Sequence, residues 1–435
     1  MTLNRIEINK ILKLLHDEVV PSVGCTEPMA VALAVAKCRE LLQCTPEHVS
    51  AKLSGNIIKN AMGVGIPGSD GMVGLPAAIA LGAVAGKAEL NLEVLRDVQP
   101  SDLELAKTFI EERRFDIRQA RNTFEILYID IEAEAAGHRA KVIIAKEHTH
   151  YIYLKLDDQT IVDERHTLAK EHDRNHESWL NMQKVYDFAM QVPLEQISFL
   201  LDGARMNKNV AQMAFEGNYG LNLGKMLRKG VFEERMVGHS TMPRLVCYTC
   251  AACDVRMSGA RVPVMSNSGS GNQGIACSMP VLVFAEDVQA SEAKLIRALA
   301  LSNLTVIYIK QLLGRLSAHC GCVVAATGSA CGITYLMDGD FDAICAAIKN
   351  QIASLTGMLC DGAKPSCTLK LSSAVSSAFQ AAMMAMEGIC VASTDGIIEE
   401  DIDRSIDNLA GIGRDAMIEV DNMILNIMTE KGEQR

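Results

Sequence analysis

The spacing of apolar residues changes as the chain runs. The first twenty residues, MTLNRIEINKILKLLHDEVV, alternate charge with leucine and isoleucine at helical spacing and predict an amphipathic helix. Pro21 and Gly24 then break the chain, and Thr26, Glu27 and Pro28 open a second helix. Glycines at 55, 63, 65, 68, 71 and 74 form a loop, followed by an alanine-rich helix from about Leu75. Between about Phe115 and Asp163 the period falls to two. Leu127, Ile129 and Ile131 alternate with Tyr128, Asp130 and Glu132, and a second run covers Lys141 to Leu156, which predicts half-exposed antiparallel strands. DDQT at 157–160 reads as a turn between them. A polar segment, 163–181, marks an edge or linker. From Val192 onward strand signals nearly vanish, and successive helices are expected with glycine-rich breaks at 258–274, 314–332 and 356–364.

These signals predict an α+β chain of two domains. Residues 1–185 form an α/β part with a small antiparallel sheet, and residues 186–435 form a mainly helical part. Composition adds to this. Aromatic residues make up only 4% of the 435, while alanine, glycine, methionine and cysteine are plentiful, which suits close helix-on-helix packing. A net charge of −11 without a long Lys/Arg run argues against a nucleic-acid partner. The N-terminus lacks the apolar core of a signal peptide, and the stretch 298–313 is interrupted by Ser302, Asn303, Thr305 and Lys310 and is short for a bilayer. A soluble cytoplasmic protein that avoids membranes is the expectation. The alanine- and methionine-rich helices suit a homodimer interface, and an internal core explains them equally well.

Chemistry concentrates in three places. Cys25 falls at a helix N-terminus, where the partial positive charge favours a reactive thiolate, and a buried structural thiol fits the position equally well. The glycine-rich loop could bring backbone N–H groups to a small carboxylate, or be no more than a tight turn; it lacks a nucleotide-binding fingerprint. The loop MSNSGSGNQGIACSMP, 265–280, sets Ser266, Asn267, Ser268, Ser270, Asn272 and Gln273 among glycines and is flanked by apolar runs. It reads as a buried loop that holds a small polar zwitterion. His148 and His150, two apart on an expected strand, face one side but lack a third ligand nearby.

Fourteen cysteines without an export signal point to buried thiols and metal ligands rather than disulfides. Cys320, with Cys322 beside it, Cys360 and Cys367 lie in glycine- and serine-rich surroundings, and three thiolates can hold an iron–sulfur cluster while leaving one iron open. Spacing alone does not decide between Cys320 and Cys322, nor dismiss Cys331. Cys247, Cys250 and Cys253 compete with ferredoxin-like spacing, but Asp254, Val255, Arg256 and Met257 replace the fourth cysteine and proline.

Four motifs, VGCTEP, SGNIIKNAMGVGIPG with MVGLP, MSNSGSGNQGI and CDGAKPSC, resemble the L-cysteine desulfidase family, also described as serine dehydratase alpha-chain-like proteins. The similarity runs along nearly the whole chain. It implies breakdown of L-cysteine to pyruvate, ammonia and sulfide without pyridoxal phosphate, using a [4Fe-4S] cluster. By the resemblance, Cys25 is the proton acceptor and Cys320, Cys360 and Cys367 are the cluster ligands. Cys322 and the triad at 247, 250 and 253 lie outside the family pattern. The implied partner is a small amino acid held by the 265–280 loop. An L-serine dehydratase with the same apparatus is the close alternative, and a non-catalytic iron–sulfur redox sensor is the alternative of another class.

Overall fold

A computed structural model describes residues 3–121, 123–168, 178–229, 240–314 and 317–433. The chain opens with α1 (Arg5–Glu18), whose N-terminus is closed by a capping box between Asn4 and Glu7 and whose Ile11 and Leu15 face inward. The short β1 (Pro21–Val23) leads into α2 (Thr26–Leu42), then β2 (His48–Leu53), α3 (Gly55–Ala61), α4 (Gly74–Val84) and α5 (Pro100–Glu111). Five strands follow: β3 (Phe115–Gln119), β4 (Tyr128–Ala135), β5 (His138–Ala145), β6 (Tyr151–Leu156) and β7 (Gln159–Asp163). Among the described residues beyond these, regular structure is helical apart from one short strand. It runs α6 (Met182–Gln191), α7 (Phe199–Glu216), α8 (Leu223–Arg228), α9 (Thr241–Met257), β8 (Pro263–Met265), α10 (Gly271–Asp287), α11 (Glu292–Leu313), α12 (Gly321–Leu336), α13 (Phe341–Leu355), α14 (Cys367–Met386), α15 (Ile402–Gly411) and α16 (Ile418–Glu433).

The fold is mixed α+β, with the sheet in the N-terminal half and helices beyond it. The main sheet has the order β3-β2-β4-β5-β6-β7. The run from β4 to β7 is antiparallel as the period-two pattern predicts, but β3 pairs parallel with β2. The reason is topological: α3, α4 and α5 form the crossover that parallel neighbours need. The run 141–156 is two strands, not one. Residues 146–150 turn between β5 and β6, so His148 and His150 do not share a strand, and His150 faces Glu164 at 3.1 Å. The expected polar edge at 163–181 is described only at its ends, since residues 169–177 lie outside the described residues.

Two large hydrophobic cores result, beside a small cluster of Ile143, Ala145, Ile152 and Tyr153. One joins α2, α4 and a face of the main sheet, including Val31, Val35, Ile79, Ile129, Ile131 and Val142. The other is helical and also takes in Ile11, Leu15, Val19 and Cys25 from the start of the chain. In this second core α11 is 22 residues long, enough by length and composition to cross a bilayer, which corrects the expectation drawn from residues 298–313. However, 89% of its apolar window is buried inside the molecule, as in a central core helix.

Candidate active site

The site begins where the two cores meet. β1 and β8 form a two-stranded antiparallel ribbon, pairing Pro21 with Met265 and Val23 with Pro263. Gly24 then turns the chain with φ of +66°, and a Cβ there would lie 2.5 Å from the Pro67 ring, so glycine is required on both counts. Cys25 follows as the N-cap of α2, buried, as its predicted place at a helix start demands. Arg256, from the last turn of α9, donates from Nη2 to the Gly24 carbonyl at 2.9 Å and to Cys25 Sγ at 3.3 Å. Against the thiolate expected from the helix start, burial pushes the Cys25 thiol up; the Arg256 charge opposes this, and Glu27 adds to the rise.

The same ribbon delivers the 265–280 loop. Ser270 caps α10, and its side chain accepts from the Gln273 N–H. Ser268, Ser270 and Asn272 line a cavity of about 960 Å³ together with Cys25. Ser266 and Asn267 are not on its wall. Ser266 Oγ donates to the Val20 carbonyl at 2.6 Å, and Asn267 Nδ2 donates to Asn303 Oδ1 at 2.9 Å, so both brace the loop from behind. The glycine-rich stretch is not a loop throughout: 55–61 is helix α3, from which Asn60 reaches the cavity wall, while Gly65 and Gly68 turn beside Ser258 and Arg261.

Cys320, Cys360 and Cys367 line this cavity too. Cys320 is the N-cap of α12, and Cys367 begins α14. A single bridge between His319 and Leu359, with Cys320 N–H donating to Met358 at 3.0 Å and Cys360 N–H to Ala318 at 2.7 Å, clamps the two segments together. Gly362, with φ of +89°, brings the Cys360–Cys367 loop so close to α3 that a Cβ would lie 2.0 Å from the Lys59 carbonyl. Cys322 and its neighbouring backbone pull the Cys320 thiol down to about 7 against burial. Burial pushes Cys360 up, and Cys320 adds to the rise; Cys367 is pushed up to about 11 by burial, with Cys360 and Cys320 adding to it.

Cys320, Cys360 and Cys367 are the residues that could hold a cluster. Among the described residues no group of three His, Cys, Asp or Glu side chains is disposed to hold a single metal. A single ion needs every donor on one centre at about 2.3 Å, whereas a cluster spreads its cysteines over separate irons. Cys320 and Cys367, buried, and Cys360, half-buried, share one wall of the cavity, and Cys320 raises the pKa of the other two, a grouping that a cluster could engage. The thiols of the rival triad each have another hydrogen-bond acceptor, and Cys253 lies close enough to Cys367 to be raised by it. Cys247 Sγ donates to Gly224, Cys250 Sγ to Thr368 and Cys253 Sγ to Asn272, so each thiol packs α9 against a different neighbour.

Several wall residues escaped the sequence reading. Arg256 carries no signal beyond its place after the cysteine triad, and Lys310 looked like a mere interruption of an apolar run. His319 is 2% exposed, and its ring has at most a weak contact with the Thr356 backbone. Burial, then the Lys310 charge, lowers its pKa to about 4, so it is neutral at physiological pH. Its position one residue before Cys320 was the available signal. The turn 146–149 and residues 124–127 close the cavity from the sheet side.

A family model described as serine dehydratase alpha chain matches residues 89–426. A UPF0597 protein of Bacteroides thetaiotaomicron is 55% identical over 426 residues, covering 98% of this chain and 99% of the relative. A UPF0597 protein of Phocaeicola vulgatus is also 55% identical, over 425 residues and 98% of each chain. One from Oleidesulfovibrio alaskensis is 41% identical over 430 residues, covering 98% of this chain and 99% of its own.

Proposed function

Because the chain belongs to the serine dehydratase alpha chain family, we propose that it is an iron–sulfur-dependent lyase converting L-cysteine and water to pyruvate, ammonia and sulfide. One observation carries this reading: Cys25 opens onto the same cavity as Cys320, Cys360 and Cys367, although almost three hundred residues separate it from the first of them. The three cysteines would hold a [4Fe-4S] cluster, which supplies Lewis acidity toward the leaving group when bound.

The chain's own groups do the rest. Cys25 Sγ, as thiolate, takes the α-proton, and the pair of electrons left behind expels the β-substituent. Ser268, Ser270, Asn272 and the first turn of α10 orient the amino acid, with the helix N-terminus facing its carboxylate. The released aminoacrylate tautomerises and hydrolyses to pyruvate and ammonia. A neutral His319 on the wall offers one donor and one acceptor without adding charge.

The description of the family model favours a second reading, L-serine dehydratase, in which hydroxide rather than hydrosulfide leaves. Anaerobically reconstituted protein given each amino acid, with pyruvate and sulfide measured, separates the two. Sulfide and pyruvate from cysteine are expected; pyruvate from serine with none from cysteine would select the second reading. Cys25→Ser should abolish turnover and keep the cluster absorbance. Cluster absorbance without turnover of either amino acid in the unaltered protein would instead make it a redox sensor.

A further inference from the structure

We infer that Arg256 is the positioning residue for Cys25, aiming its sulfur into the cavity and favouring its ionisation against the burial that opposes it. The purpose of that role rests on the lyase reading above, but its geometry does not.

Arg256 is 6% exposed, and among the described residues no carboxylate lies within ion-pair distance of its guanidinium. A charge buried to that degree is costly unless an opposite charge accompanies it. Its fork is instead spread over two helix starts. Nη2 reaches the Gly24 carbonyl and Cys25 Sγ at the head of α2, and Nη1 donates to Asn272 Oδ1 at 3.1 Å in the first turn of α10. Nε is buried without a partner against Gly271, where a Cβ would approach it to 2.3 Å. Both helix N-termini carry partial positive charge, so helices and guanidinium together surround one point with positive potential. Two thiols near that point can become anions: Cys253, which donates to the same Asn272 Oδ1 and lies within reach of the Arg256 charge, and Cys25, whose sulfur takes the direct hydrogen bond from Arg256.

The position of Arg256 favours this over a purely structural role. Binding Gly24 and Asn272 would need only a neutral donor, yet the side chain is a permanent cation that a non-polar or amide residue could replace at lower desolvation cost. The opposing influences are few. Glu27, on Cys25's own helix, disfavours the thiolate, and its carboxylate accepts from Asn60 Nδ2 at 3.3 Å. On the helical side of the cavity Asp17, Lys310, His319 and Lys370 share the wall with the thiols of Cys320, Cys322, Cys360 and Cys367. On the sheet side stand Glu125, Lys146, Glu147 and His148. The direct hydrogen bond to the sulfur comes from Arg256.

The test reads the sulfur itself. Full-length protein prepared anaerobically is treated with iodoacetamide across neutral to alkaline pH, and alkylation is quantified by mass spectrometry on the peptide containing Cys25, with Cys25→Ser as the blank. Arg256→Met should move the alkylation midpoint upward by about one pH unit or more, slowing the reaction near neutrality about tenfold. Arg256→Lys keeps the charge and should restore most of the rate. If Arg256→Met does not fold, Arg256→Gln, which keeps amide donors and drops the charge, is read in the same way. An unmoved midpoint in the charge-deleting variant, or a faster reaction, would overturn the proposal. No substrate is involved, so failure of the pyruvate assay leaves this result standing, and an unmoved midpoint sinks the proposal even in an active enzyme.

Discussion

Thiols in this chain differ by what surrounds them rather than by where they fall in the sequence. Cys320 sits before the first turn of α12 beside the Cys322 thiol, while Cys322 lies inside the helix with its pKa raised. If Cys320, Cys360 and Cys367 hold the cluster, Cys360→Ser should lower iron and sulfide per chain severalfold after anaerobic reconstitution, and Cys322→Ala should leave both near the wild-type content. Equal losses in the two variants would reassign the ligand. Asp254 makes a separate case. Burial raises its carboxyl from 3.8 to about 6, against backbone N–H groups of Gly224 and Leu221 that favour the charged form. Between those values the folded chain binds a proton that the unfolded chain does not, so this contribution is full below about 4 and lost as pH rises through about 6. It amounts to on the order of 3 kcal/mol at most. Asp254→Asn should flatten the pH dependence of the denaturant midpoint in that window, and an unchanged slope would refute the assignment.

Among elements, local signals were legible and partnerships were not. Pro21, Gly24 and Thr26–Pro28 announced both the break and the start of α2, which is why Cys25 was placed correctly at a helix N-terminus. Ser270 before the apolar run of α10 is a comparable signal. Nothing local says that β1 pairs with β8, that β2 takes β3 as a parallel neighbour, or that Arg256 and His319 reach the same cavity. Those facts depend on residues far apart in the chain, and a three-residue strand such as β8 is too short to show a period. The C-terminal helix is a further example. Lys59 of α3, almost wholly buried, forms an ion pair with Asp421 of α16 and also reaches the Ser317 carbonyl at 3.5 Å, just ahead of Cys320. Asp421→Asn leaves that ammonium buried without its partner and should cost about 2–3 kcal/mol, discounted for the carboxylate's partial exposure. Denaturant unfolding measures the loss. A change within experimental error would mean that Lys59 is held by its other contacts.

At the scale of the molecule, the cavity lies between a sheet-based core and a helical one, with walls from both. Whatever binds there links the two cores. Reconstitution with iron and sulfide should therefore slow amide hydrogen exchange in residues 317–322 and 359–367 directly, and in the 124–127 and 146–149 segments when an amino acid is also present. Protection confined to the cysteine segments would mean that the sheet side does not contribute to the site. The β1–β8 ribbon has one more consequence, for synthesis on the ribosome. Its three pairs close a loop of well over two hundred residues, and the thiols across the cavity come later still. A nascent chain thus carries Cys25 for most of its translation with neither Arg256 nor the cysteine trio beside it. Such a chain, halted before α14, lacks Cys367, and the full set of groups that the proposed site needs is present only as the last helices emerge.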